Sequence, residues 1–120
     1  MKATATGIKR IINAFGDSFS GFKLTFKSEA AFRQDLAFCF VMLVLSFFFN
    51  VAVVEWLFMI GALFLILLME LINTAIEAVV DRISPDYHEL SKKAKDIGSL
   101  LVLIAFVWTF IVWGSVLLFR

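Results

Sequence analysis

Cysteine is nearly absent from the sequence. Cys39 is the only one, so no internal disulfide can form, and its place in an apolar run reads as a small buried residue. Histidine is equally scarce. One Cys and one His, His88, cannot supply the ligand spacing of a zinc site. Proline occurs once, as Pro85, so long helices can run uninterrupted on either side of it. Charge of one sign is not in excess: 11 Lys and Arg against 10 Asp and Glu leave a net +1, which gives no basis for a nucleic-acid partner. There is no G-x-x-x-x-G-K-[ST] phosphate loop, no glycine-rich kinase loop and no H-R-D element. No cleaved secretory leader is expected, because residues 1–27 are amphipathic and lack a continuous apolar segment.

Apolar residues are what the chain has in abundance. They make up 62% of 120 residues, against roughly 45–50% in soluble domains. A soluble domain of this length has too much surface for its volume to bury that fraction. The mean hydropathy of +0.96 points the same way. The bilayer is the natural solvent for the excess, so the expected fold is an all-α integral membrane domain.

The pattern predicts four helical segments in one domain spanning residues 1–120. Residues 6–27 carry Ile8, Ile11, Ile12, Phe15, Phe19, Phe22 and Phe26 at helical spacing, with Lys9, Arg10, Asn13, Asp17, Ser20 and Lys23 between them. That is an amphipathic helix for the membrane interface. A first span is predicted over residues 30–50, a second over 53–83 and a third over 90–119. Phe47, Phe48, Phe49, Asn50 and Trp56 mark a tight aromatic connection at one interface. Ser84-Pro85-Asp86 breaks the second helix. Lys and Arg number six before the first span, none in the first connection, four in the second and one, Arg120, at the end. The positive-inside rule then predicts a cytoplasmic N-terminus and an external C-terminus.

The informative stretch is residues 70–81. At about 100° per residue, Glu70, Asn73, Glu77 and Asp81 fall at roughly 0°, −60°, −20° and +20° around the helix. Exposing this polar stripe to lipid would cost several kcal/mol, since a single central acid costs roughly 2.5–3.5 kcal/mol. It must face a polar site, another helix or water. Glu70 lies about 25 Å along the helix from Val53, near the cytoplasmic edge of the hydrocarbon, with Glu77 and Asp81 further out. Glu29, with Arg33 four residues on, and Lys95-Asp96 at the head of the third span lie at the same level. Together these supply carboxylates for a hard cation, a lysine for phosphate charge and an acid able to deprotonate a hydroxyl, the elements of phosphoryl transfer. Helix-helix glue is the competing role for the stripe. Arg33 could equally serve only a local pair with Glu29, and His88 a polar loop. An ion carrier is disfavoured, because the runs 36–54 and 97–119, the membrane-embedded parts of the first and third spans, carry no charge.

Five segments carry a resemblance. They are Glu70-x-x-Asn73-Thr74-Ala75-Ile76-Glu77-Ala78-Val79-Val80-Asp81-Arg82, Tyr87-His88-Glu89-Leu90-Ser91, Ala94-Lys95-Asp96-x-Gly98-Ser99, Glu29-Ala30-Ala31-Phe32-Arg33-Gln34 and Thr6-Gly7-x-x-Arg10-Ile11-Ile12. The set resembles the prokaryotic diacylglycerol kinase family, the last two its Gram-negative branch. The resemblance implies a multi-pass homotrimer in the bacterial inner membrane, with sites built between subunits. It implies that ATP and Mg²⁺ are used to convert diacylglycerol to phosphatidic acid in phospholipid recycling. It assigns Glu70 as general base and Glu29 and Glu77 as metal ligands. Arg10, Asp17, Glu29, Glu77, Asp86, Tyr87, His88, Lys95 and Asp96 would line ATP, and Asn73 and Asp81 would support the site. Arg10, Ala14, Ser18, Ala31, Arg33, Glu70, Ser99 and Trp113 would contact the lipid. The sequence departs from the family pattern at Asp17, where an aromatic is expected, and at Trp56, where a polar residue is expected. A polyprenol such as undecaprenol is the alternative substrate, and a non-enzymatic membrane subunit the alternative class. A shared site also follows from size, because three thin helices cannot enclose MgATP. Gly61, Ala62, Gly98 and Ser99 would permit close helix approach, within one chain or between chains.

Overall fold

The computed structural model describes residues 6–119. Lys2 and Arg120, two of the charges used above for orientation, lie outside the described residues. The described chain is four α-helices: α1 (Gly7–Ser28), α2 (Ala30–Ser46), α3 (Val53–Ile83) and α4 (Glu89–Leu118). Each boundary has a local cause. At Glu29 the backbone turns extended, with φ −114° and ψ 105°, which separates α1 from α2. α2 stops at Ser46, short of the expected residue 50, and Phe47 and Phe48 close the turn through bonds to the Val44 and Leu45 carbonyls. The Glu55 carboxylate accepts from the Ala52 amide at 2.9 Å and so caps the start of α3. Pro85 ends α3, since it has no amide to donate. The Ser84 hydroxyl then accepts from the Asp86 amide at 3.1 Å. At the start of α4 the His88 Nδ1 accepts from the Leu90 amide at 3.0 Å, which makes His88 an N-cap.

α3 is the spine. It packs most extensively on α4 and next on α2, whereas α1 touches chiefly α2. Met59, Ile66 and Ala105 are fully buried at the α3–α4 contact. Polar links tie the helices by their backbones. The Trp113 indole donates to the Met59 carbonyl at 3.1 Å, and the Thr109 hydroxyl bridges Ala105 and Ala62 carbonyls at 2.9 and 3.4 Å. The Cys39 thiol, buried as expected, reaches the Leu63 carbonyl at 3.5 Å. Such bonds are common glue between helices that lack a hydrophobic driving force for association.

α3 and α4, with 31 and 30 residues, are long and apolar enough to cross a membrane. α3 is about 46 Å long, some 16 Å more than the hydrocarbon it would cross. α2 has 17 residues, about 26 Å, at the lower limit for a span. α1 buries none of its residues. Its apolar side chains lie on one face, and apart from Phe22, which meets Phe32 of α2, that face is largely open, with Phe15 at 74% exposure.

Candidate active site

The polar stripe of α3 faces other helices of the same chain, and its burial falls along its length. Glu70 is 6% and Asn73 8% exposed. Glu77 is half-buried and Asp81 exposed. Asp35 of α2 lies beside Glu70 at the inner part of this stripe, and Glu29 and the stripe's own Glu77 are close enough to act on Glu70 electrostatically. The Asp35 Oδ2 and Asn73 Oδ1 atoms are buried without a hydrogen-bond partner. Asp35 is not among the site residues expected from the sequence, where it stands as a single acid just before the uncharged run 36–54. The available signal was its position six residues after Glu29, at the level of Glu70.

The outer part of the stripe opens on a cavity of about 370 Å³ between the end of α3, the 84–88 connection and the start of α4. It gathers Asp81, Asp86, Tyr87, His88, Lys95 and Asp96. Two ion pairs shape its wall: Lys95 to Asp81 at 2.7 Å and Lys92 to Asp96 at 2.7 Å. Both are solvent-exposed and individually weak, so either lysine can turn to an anion at little cost. Ser84, Ser91 and Lys92 also line this cavity but were not among the expected site residues. Only the folding-back of the connection brings them in.

The other expected residues are placed differently. Arg10, Ala14, Asp17 and Ser18 are exposed on α1. Their spacing puts them on one face, about 120° round the helix from the apolar face, since they recur at i, i+4, i+7 and i+8. Among the described residues no hydrogen bond or ion pair links them to the stripe. Ala31 is exposed at the head of α2, and Ser99 is exposed about 15 Å along α4 from its start. Trp113 sits far from the acids, 7% exposed in the core, where it also lines an apolar cavity of about 380 Å³ with Phe38, Phe106 and Phe110. Trp56, the departure from the family pattern, donates its indole N–H to the Ser46 hydroxyl at 2.9 Å at the opposite end.

Arg33 forms no ion pair with Glu29. Because the helix breaks at Glu29, the guanidinium reaches back to the Phe26 and Lys27 carbonyls at 2.6 and 3.1 Å. It thereby satisfies the open carbonyls at the end of α1 and fixes the α1–α2 corner. Phe32, 2% exposed, packs edge-on to Phe22 at the same corner. Arg33→Ala is expected to lower the melting temperature in detergent by roughly 2–6 °C. Arg33→Lys should give an intermediate value, because an ammonium keeps the charge but loses the fork.

Among the described residues no group of three or more His, Cys, Asp and Glu side chains converges as a metal cage. A cation held here would rely on one or two carboxylates and on ligands brought by a substrate, the usual arrangement for Mg²⁺. The donor set of Glu29 and Glu77, all hard oxygen, fits that ion.

Long apolar helices carrying a graded stripe of acids beside an open, charged cavity define a helical membrane protein with a polar site at one end of its spans. The profile of the prokaryotic diacylglycerol kinase family matches residues 16–117. The chain belongs to this family. It is 42% identical over 114 residues to a diacylglycerol kinase of Haemophilus influenzae, covering 95% of this chain and 97% of that one. It is 44% identical over 113 residues to a diacylglycerol kinase of Pseudomonas aeruginosa, covering 94% and 92%. A diacylglycerol kinase of Escherichia coli K12 is 42% identical over 113 residues, covering 94% and 93%.

Proposed function

We propose that the protein is an ATP- and Mg²⁺-dependent diacylglycerol kinase that makes phosphatidic acid at the cytoplasmic face of the bacterial inner membrane. The observation that carries this reading is the stripe on α3, buried at Glu70 and Asn73 and opening outward to the cavity at Asp81 and Lys95. One end lies at the depth of a lipid's hydroxyl and the other at the depth of a soluble nucleotide. The excess length of α3 over the hydrocarbon supports this, since its last ten or so residues would stand outside the apolar layer. α2, α3 and α4 are the three spans and α1 lies in the interface, its exposed apolar face in lipid. The N-terminus is cytoplasmic and the C-terminus periplasmic.

In this reading the Glu70 carboxylate takes the proton of the lipid hydroxyl. The hydroxyl oxygen bonds to the γ-phosphorus, the bond from that phosphorus to the β–γ bridging oxygen breaks, and ADP leaves. Lys95 turns from Asp81 to the phosphates, and Asp86, Tyr87, His88 and Asp96 line the nucleotide. Asn73 and Asp81 support the stripe. Glu29 and Glu77 would hold Mg²⁺, whose chemistry is to neutralise phosphate charge as the transfer proceeds. Arg10, Ala14, Asp17 and Ser18 offer their common face to the lipid headgroup and nucleotide, with Ala31, Arg33 and Ser99 at the same level. Trp113 meets an acyl chain only through the cavity it lines. A homotrimer completes the enclosure, because the cavity of a single chain is open and α1 is too lightly packed to close it.

Purified protein given labelled ATP with diacylglycerol and undecaprenol side by side tests this reading. Mg²⁺-dependent label in phosphatidic acid is the expected result. Preferential labelling of the polyprenol would overturn the substrate, and label in neither lipid would overturn the kinase reading.

A further inference from the structure

Gly98 lies where α4 comes closest to the acid stripe, and it has no assigned part in the reaction proposed above. It is buried on α4. A Cβ built on it would fall on the Asn73 side-chain oxygen, and would stand 3.1 Å from Asn73 Cγ and 3.5 Å from Asn73 Cα. All three nearest atoms belong to Asn73. By contrast, a Cβ at Gly61 or Gly114 would meet nothing within 4 Å. The small residue at 98 is therefore needed by one side chain, and not by general closeness of the two helices.

That side chain is itself unusual. Asn73 is 8% exposed, and its Oδ1 has no N–H or O–H donor. The hydrogen that glycine carries in place of Cβ points at this oxygen. Cα–H···O contacts of this kind recur where helices touch. With its oxygen turned to α4, the amide must turn its NH₂ away from α4, because the two ends of a planar amide diverge. Asn73 sits between Glu70 and Glu77 on the stripe, at i+3 from the first and i−4 from the second. We propose that Gly98 is a positioning residue. By leaving room for the Asn73 oxygen it fixes the amide so that its donors serve the Glu70–Glu77 face, and it acts on catalysis only through Asn73. The inference rests on the kinase reading.

The atoms that would have to yield to a methyl group at 98 are the end of the Asn73 side chain, not backbone. Gly98→Ala should therefore keep the helix pair and displace the amide. Its kcat is expected to fall about tenfold, since small misplacements of a positioned group cost that much or more. The KM values for ATP and diacylglycerol should stay within about twofold. Gly61→Ala and Gly114→Ala should keep parental kcat and assembly size. The decisive comparison is Asn73→Ala against Asn73→Ala/Gly98→Ala. With no amide left to displace, the second change should cost nothing in kcat, melting temperature or assembly, and this holds even if Gly98→Ala alone fails to assemble. Parental kcat in Gly98→Ala, or a further loss in the double variant, would overturn the proposal. A parent protein inactive on both lipids would instead overturn the kinase reading, and this inference with it.

Discussion

Glu70→Gln is expected to lose about 10²–10⁴-fold in turnover, the usual contribution of a positioned general base, while keeping its assembly and melting temperature. Glutamine has the shape of glutamate but cannot take a proton. At this position it introduces a compensating bond as well. Asp35 lies beside Glu70 and its Oδ2 is buried without a donor, which a glutamine amide can supply. The exchange should therefore be neutral or mildly stabilising for the fold, because it removes a carboxylate from a partly apolar contact between two acids. This separates the two roles weighed for the stripe. A carboxylate serving as helix glue would be replaced by glutamine with no effect on turnover. A carboxylate serving as a base would not. Steady-state phosphorylation of diacylglycerol, with melting temperature and assembly size from the same preparations, makes the comparison. Normal turnover in Glu70→Gln would show that the proton goes elsewhere.

Glu77→Gln and Glu29→Gln should act on the cation. Each is expected to raise the Mg²⁺ concentration for half-maximal rate by about tenfold or more, since even the loss of a partner behind a metal ligand costs 10–100-fold in affinity. Excess Mg²⁺ should restore part of the rate in either single variant, because phosphate oxygens still offer ligands. No such rescue is expected for Glu70→Gln, whose defect is in proton transfer. The physical basis is the gradient along α3. Glu77 is half-buried, about two turns further out than Glu70, and so stands nearer to where a nucleotide-bound ion would arrive. Glu29 reaches the same region from the break between α1 and α2. A Mg²⁺ titration of initial rate for the parent and both variants checks this. Unchanged midpoints would remove these residues from the cation site.

How much of this could be read in the chain follows from the range of the interactions involved. The stripe on α3 was legible because its spacing depends only on the helical repeat, and a polar row on an apolar helix needs a partner wherever it lies. The break at Ser84-Pro85 was legible for a similar local reason. Arg33 was not. Its i,i+4 spacing from Glu29 suggests a pair only if one helix continues through both residues, and the extended backbone at Glu29 removes that condition. Asp35 escaped notice because a single acid at the head of an apolar run looks like a boundary. Its significance depends on α2 packing against Glu70, which no local pattern encodes. Lys92, Ser84 and Ser91 belong to the outer cavity only through the return of the connection. The motif containing Gly98 was visible, but the reason for a glycine there needed the position of Asn73 on another helix. Trp113 shows the converse: the resemblance marks it as a lipid contact, and the fold also commits its indole N–H to the Met59 carbonyl.

The most direct measurement is of a nucleotide-bound cation at the α3 acids. Mn²⁺ prefers the same oxygen ligands as Mg²⁺, and its free and bound forms are distinguished by electron paramagnetic resonance. The purified protein in lipid, given Mn²⁺ and a non-hydrolysable ATP analogue, should show bound Mn²⁺ that depends on the nucleotide. Most of that signal should be lost in Glu29→Gln/Glu77→Gln. Undiminished nucleotide-dependent binding in the double variant would contradict the placement of the reaction on this face of α3.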